Sequence, residues 1–286
     1  MIKTVVIYGD RSDLGDYGLA HCLNGLAAEG SRLRQASVQY QVPEDRPGTY
    51  LYQQKKQWKK AVARLEASLG SRMSRTVPEG GCCPAVRIPS AIVTCEGTET
   101  AQTETAGKME GYDLLVTGYA GMEGMLRIAE EKKEMLSGRY SGSFLHLLYG
   151  HRKDIFGMQK AEIARAAGRV LVRHVGQGGI FKALWDLASE TGCGLEADLR
   201  SIPVLQETIE VCELFRMNPY QLTSAGCFVL AAPDGREVLQ KIRQRGENGC
   251  LIGCLTSGND KVLYNAGEVR YLDRPAPDEL WKLWKE

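Results

Sequence analysis

Two glycine-rich segments carry the residue types best suited to holding an anion. Gly118-Tyr-Ala-Gly121-Met-Glu-Gly124 and Gly176-Gln177-Gly178-Gly179 each stand between an apolar run and a helix-period run. A helix N-terminus offers unpaired N–H groups and the positive end of the helix dipole, and glycine removes the Cβ that would keep a phosphate away. Neither segment has the spacing of a P-loop or of the full dinucleotide fingerprint, so tight turning of the chain is an equal reading. The run Asp10-Arg-Ser-Asp13-Leu-Gly-Asp16 places three carboxylates in seven residues. Magnesium takes one or two such ligands together with phosphate oxygens. Capping of the next helix by Asp13 or Asp16 competes with that reading and is favoured over it. Four histidines, at 21, 146, 151 and 174, show no Ser/His/Asp or Cys/His order. His174 ends a strand ahead of the second glycine segment, where open α/β sheets hold ligands; there it could act as a base or bond the backbone.

Nine cysteines are present, and their close groupings are Cys82-Cys83 and Cys250-Leu-Ile-Gly-Cys254. No repeated zinc spacing occurs, and vicinal cysteines rarely bridge each other. Cys22, Cys95, Cys212 and Cys227 lie in apolar stretches, so they read as reduced core thiols of a cytoplasmic protein. No role follows for the Cys82-Cys83 pair. The formal net charge of +1 gives no long-range field toward nucleic acid or an anionic membrane. No apolar run reaches the roughly 18 residues of a membrane span.

The elements that must position these residues follow from periodicity. Met1 to Asp10 reads as a first buried strand and Val38–Val42 as a short one. Gln53 to Leu69 sets Trp58, Ala61, Val62, Leu65 and Leu69 on one helical face and Lys55, Lys56, Lys59, Lys60 and Arg64 on the other. That basic face reads as solvated rather than as an anion site. A strand from Val86 to Cys95 precedes the polar stretch Glu96–Gly111, the best domain boundary, which divides the chain into residues 1–105 and 106–286. Beyond it, strands at Asp113–Thr117, Gly168–Val175 and Cys227–Ala232 alternate with helices. Those helices run to about Leu136, from Gly179 to just before Gly192, over Gln206–Phe215 and over Glu237–Arg245. Leu251–Leu255, Lys261–Tyr264 and Val269–Leu272 close the chain as strands. The fold class is α/β (α+β) in two domains.

Several segments resemble one family in the right order. Tyr112-Asp113-Leu-Leu-Val-Thr117 with Ala120-Gly121-Met-Glu-Gly124 resembles the start of the C-terminal domain in the superfamily of AIR synthase, the hydrogenase-maturation carbamoyl dehydratase, selenophosphate synthetase and thiamine-phosphate kinase. Arg173-His174-Val175-Gly176-Gln177-Gly178-Gly179-Ile180 is similar to its H-D-V-T-E-G-G segment. Glu196 to Val204 with Glu207-Thr208, and Leu222-Thr223-Ser224-Ala225-Gly226, are similar to its next strand and helix and to its S-S-G turn. Upstream, Asn24 falls at the Asn of the family's N-D pair, Asp10 at a strand-end Asp, and Gly80-Gly81-Cys82-Cys83 at a glycine turn. The resemblance implies an N-terminal domain whose sheet pairs with its twin in a homodimer, and a C-terminal α/β domain. It implies a cleft holding ATP and magnesium. Gly121, Gly124, Gly176, Gln177, Gly178, Gly179, Ser224, Gly226 and Asn24 would bind ligand or phosphate there, Asp10 and Asp13 the metal, and His174 would be the catalytic residue.

Three departures remove charge that this chemistry needs. Only nine residues precede Asp10, Gly25 replaces the Asp of the N-D pair, and His174-Val175-Gly176-Gln177 stands where D-V-T-E is expected. Losing one such group costs roughly 10²–10³ in rate, and phosphoryl transfer depends on metal-bridged charge. The chain ends Leu283-Trp284-Lys285-Glu286, without the cysteine that the dehydratases use as carbamoyl acceptor. The expectation is therefore a non-catalytic homodimeric ligand-binding or maturation factor with a maturation-protein partner. The alternative is an ATP- and Mg-dependent enzyme that phosphorylates or activates a small carboxylate or amide.

Overall fold

The computed structural model describes residues 1–10, 13–46, 48–70, 73–75, 77–100 and 107–285. The first domain contains β1 (Ile2–Tyr8), α1 (Leu14–Ala28), β2 (Ser31–Val42), α2 (Gly48–Leu69), β3 (Ser74–Arg75), β4 (Glu79–Cys82) and β5 (Ser90–Glu99). These strands form a five-stranded sheet in the order β1-β5-β2-β3, with β4 also pairing β2. Period-two alternation turns Ala36, Val38, Tyr40 and Val42 of β2, and Ala91, Val93 and Cys95 of β5, into the core. Strand β2 starts well before the expected Val38, because Ser31 to Ser37 ladder against β5 across a bulge between Leu33 and Gln35. Strand β5 starts after Pro89 rather than at Val86. The Gly80-Gly81 segment, read as a turn, is the strand β4. On α2, Trp58, Ala61 and Leu65 are buried while Lys56, Lys59, Lys60 and Arg64 face solvent, as the periodicity predicts; Leu69 is exposed.

The second sheet has seven strands. Its elements are β6 (Asp113–Thr117), α3 (Met122–Glu131), α4 (Lys133–Arg139), α5 (Gly142–Gly150), α6 (Met158–Ala166), β7 (Leu171–His174), α7 (Gly179–Thr191) and β8 (Gly194–Asp198). They continue with α8 (Gln206–Leu214), β9 (Phe228–Ala232), α9 (Gly235–Gln244), β10 (Cys250–Thr256), β11 (Lys261–Asn265) and β12 (Glu268–Tyr271), closed by a 3₁₀ turn at Glu279–Trp284. The order is β12-β11-β8-β10-β6-β9-β7. Among the described strands of this sheet every pairing is antiparallel except β8 with β11, so helix–strand alternation here builds an α+β layer rather than a parallel sheet.

Strand β9 is buried along its whole length and β6 over Leu114–Thr117, since both sheet faces are covered. Leu184, Leu187 and Ala188 of α7 cover one face, and Ala161, Ala164, Val238 and Ile242 of α6 and α9 cover the other. The first sheet's last strand ends at Glu99 and the second sheet's first strand begins at Asp113; the boundary expected after residue 105 lies outside the described residues. The cysteines are free thiols, with Cys22, Cys95, Cys193, Cys212 and Cys227 buried and Cys82 exposed. Among the described residues no helix is long and apolar enough to cross a membrane.

Candidate functional site

Helix α1 builds the site. Its residues are small or apolar on nearly every face, and all but Gly25 are buried, the pattern of an enclosed helix. It packs on β1, β2 and β5 of its own domain and on α6 and β7 of the other. Its approach to β5 requires Gly18, where a Cβ would stand 2.3 Å from Val93 Cγ2. His21 and Asn24, three residues apart and so on one face, both reach the second domain. Asn24 is fully buried. Its Nδ2 donates to the Ile155 carbonyl at 2.8 Å, and its Oδ1 accepts from Gly157 N–H at 2.8 Å. The side-chain amide thus pairs like a peptide group across the interface.

His21 Nε2 lies 2.8 Å from Glu123 Oε2. Glu123, in the first turn of α3, also accepts from Thr223 Oγ1 at 2.6 Å and from Ala225 N–H at 2.9 Å. Its Oε1 lies 3.5 Å from Arg127, an ionic contact without hydrogen-bond geometry. Arg127 donates in turn to the Tyr8 carbonyl at the end of β1. Glu123 has no exposed surface. Burial pushes its carboxyl up, but His21, Arg127 and the Thr223 hydroxyl outweigh that and hold it at about 2. At neutral pH it is a fixed anion, unsuited to giving or taking a proton.

His174, at the end of β7, sits edge-on to His21 with ring centroids 5.3 Å apart, and its Nε2 is 3.5 Å from Asn24 Nδ2. Burial, then the neighbouring His21, pushes it well below the usual imidazole value, so the ring is neutral at pH 7. The two histidines line a recess of about 300 Å³, with Lys3, Arg173, Glu29 and Glu190 also in its wall. Arg173 pairs with Glu190 at 2.6 Å and Glu29 at 3.8 Å, and Lys3 pairs with Glu29 at 3.7 Å. This volume is at the small end for ligand pockets.

The structure brings some of the sequence candidates together and separates others. Asn24, His174 and Gly176 meet around His21. In the first glycine segment, Gly121 N–H donates to Ser224 Oγ at 2.7 Å, Gly124 N–H to the Thr223 carbonyl at 3.0 Å and Gly118 N–H to Asn248 Oδ1 at 3.0 Å. The backbone here is closely packed: a Cβ at Gly118 would stand 2.3 Å from the Gly226 carbonyl, and one at Gly226 2.0 Å from that of Asp154. In the second segment, Gly178 N–H donates to Asp278 Oδ2 at 2.7 Å and Gly179 N–H to the Gly176 carbonyl at 3.2 Å. Exposed Gln177 donates to the Val6 carbonyl at 2.7 Å. Asp10 pairs with Arg46 at 2.7 Å, and Asp13 with Arg152 at 3.3 Å. Asp13 occupies the N-cap position of α1, but its side chain makes no capping bond, a departure from the expected cap explained by the pull of Arg152. Asp16 lies inside the first turn of the helix instead. Among the described residues no group of three or more His, Cys, Asp or Glu gathers as a metal site.

Glu123, Thr223 and Asp278 were not singled out by sequence reasoning. Their spacing from His21 and Gly178 is long-range, and each looks like an ordinary helix-start or loop residue. The usable signal was a lone His three residues before an Asn on a helix with no polar face.

Comparisons with known proteins bear on the fold. Residues 154–265 match the model of the family described as AIR synthase related protein, C-terminal domain. The chain is 25% identical over 268 residues to the carbamoyl dehydratase HypE of Rhodobacter capsulatus, covering 90% of this chain and 72% of that protein. The crystal structure of hydrogenase maturation protein HypE in complex with ATP superposes with a TM-score of 0.77 at 17% identity, covering 98% of this chain and 86% of that one. A chain of the crystal structure of the HypE–HypF complex gives 0.73 at 17% identity, over 96% of this chain and 90% of that one. This chain has the two-sheet fold of HypE along nearly its whole length, and residues 154–265 are similar to the AIR synthase related C-terminal domain.

Proposed function

We propose that this chain is a HypE-related maturation factor that works by docking to a protein partner and holding a small ligand between its domains, without phosphoryl transfer. The observation carrying this reading is the carboxylate of Asp278, which takes the Gly178 N–H at the start of α7. A phosphate would seek that donor, and an internal anion already satisfies it. The first glycine segment is likewise engaged, by Ser224 and Asn248. Asp10 and Asp13 are turned to arginines rather than toward a shared metal position. The residues therefore do not fit Mg–ATP held in the manner the family resemblance implies. Support for a maturation role comes from the dehydratase relative and from HypE having been crystallised with HypF. A homodimer through the outer face of the five-stranded sheet, where Thr4 and Gln39 are exposed, belongs to the same reading.

The competing reading is an ATP-dependent enzyme, favoured by HypE having been crystallised with ATP. Titration calorimetry with ATP, with and without magnesium, separates the two. The proposal expects no heat at millimolar nucleotide. Micromolar, magnesium-dependent binding that is lost in Asp10→Asn or Asp13→Asn would establish the enzyme reading instead. Light scattering of the purified chain tests the dimer.

A further inference from the structure

A second cavity, of about 1200 Å³, opens from a different face of α1 and lies between α1, α2 and the segment Tyr149–Met158. Leu19, Leu65, Phe156 and Met158 give it an apolar lining, and Asp16, Lys60 and Arg64 add charge. Asp16 is the unusual member: it is only 7% exposed. Its Oδ2 is 3.0 Å from Arg64 and 3.6 Å from Arg152, whereas Oδ1 is buried with no partner among the described residues. A buried carboxylate oxygen left unbonded costs on the order of 1–3 kcal/mol, which a donor brought beside Asp16 would relieve.

The local cations do not supply one. Arg152 is committed to Asp13 at 3.3 Å, to Glu130, to the Tyr17 hydroxyl at 2.9 Å, and to the Tyr17 ring 4.4 Å beneath it. The Arg64 side chain is 71% exposed and touches Asp16 through one nitrogen, leaving the rest of its fork directed elsewhere. Lys60 lies one helical turn before Arg64 on the same solvent-facing side of α2.

We propose that this cavity binds a free α-amino acid with a large apolar side chain. Its ammonium group donates to Asp16, its carboxylate bonds the outer edge of Arg64 with Lys60 beside it, and its side chain lies on Leu19, Leu65, Phe156 and Met158. Each of the three ligand features thus meets a matching wall: a carboxylate with one oxygen unpaired, an arginine with spare donors, and an apolar surface. The basic face of α2, a solvated surface in most helices, gains a use where it borders this cavity.

The test is calorimetry of the full chain with methionine, leucine and phenylalanine, against N-acetylmethionine, methioninamide and aspartate. At least one apolar amino acid should bind, and the acetylated, amidated and acidic probes should bind at least about tenfold more weakly. Asp16→Asn and Arg64→Ala should each weaken binding by a similar factor. Arg64 is exposed, so its variant stays readable even should Asp16→Asn fail to fold. No heat from any apolar amino acid at millimolar concentration overturns the proposal. So does equal binding of N-acetylmethionine, or unchanged binding in a folded Asp16→Asn or in Arg64→Ala.

Discussion

Replacing Glu123 by Gln should expose how much of the stability of the domain interface is electrostatic. The carboxyl is held at about 2 against an ordinary value of 4.5, a difference equivalent to about 3 kcal/mol between its charged and neutral forms. Because the folded-state value is depressed, that contribution is complete above pH 4.5 and is lost as pH falls toward 2. The amide keeps an acceptor for Thr223 and Ala225 but offers His21 and Arg127 no charge. At pH 7 the variant should therefore lose roughly 2–4 kcal/mol, within the range for breaking a buried pair or charged hydrogen bond. Urea titrations of both proteins at pH 7, 4.5 and 3 test this. The gap between wild type and variant should be widest at pH 7 and should shrink at pH 3, where part of the wild-type contribution has gone. A gap that stays constant, or grows on acidification, refutes the argument that a depressed Glu123 holds the interface.

Asn24→Ala removes both bonds from α1 to the Ile155–Gly157 backbone and leaves a buried N–H and C=O unpaired. A loss of about 2–4 kcal/mol is expected by denaturant unfolding. Gly118→Ala places a Cβ 2.3 Å from a backbone carbonyl at a φ of +89°; a fall in Tm of several degrees, or insoluble protein, should result. Asp278→Asn weakens the bond to Gly178 while keeping its shape. Calorimetry with inorganic phosphate should detect weak binding to this variant and none to wild type, and phosphate binding by wild type would contradict the role given to Asp278. A thiol reagent should label exposed Cys82 in the native protein before Cys22, Cys95 or Cys227, which should react only on unfolding.

The elements that periodicity could read are those with one wet face. Strand β6 agrees with the expectation residue for residue, and helix α2 ends at Leu69 as expected but begins at Gly48, ahead of the expected Gln53; solvent marks one side of the helix and flanking turns bound the strand. Helix α7 is legible for another reason: Gly178 and Gly192 bracket it in left-handed backbone that only glycine adopts cheaply. Strand β2 was truncated because its first half, Ser31-Arg-Leu-Arg-Gln-Ala-Ser, is polar and gains strand character only from its partner β5. Sheet direction was not legible at all. Alternating helices and strands suit parallel and antiparallel sheets alike, and within the seven-stranded sheet only the pairing β8–β11 is parallel among the described strands. At the site, Asn24 and His174 were marked by type and position. Their connection through His21, Glu123 and Thr223 depends on contacts about a hundred or more residues apart, which spacing does not encode.

Enclosure of α1 by both domains has a consequence for how this sequence can change. A surface helix drifts freely on its outer side, but a helix with all but one residue buried has almost no outer side on which substitutions are neutral. Val93 pressing on Gly18, and Tyr40 and Trp58 crowding Gly15, leave little room for larger residues. Even an additional methyl in such a place costs about 1–3 kcal/mol. The helix should therefore resist substitution whether or not the protein turns over a substrate. Retention of its residues across relatives would measure how tightly the domains are docked, and would remain after any ancestral chemistry had gone.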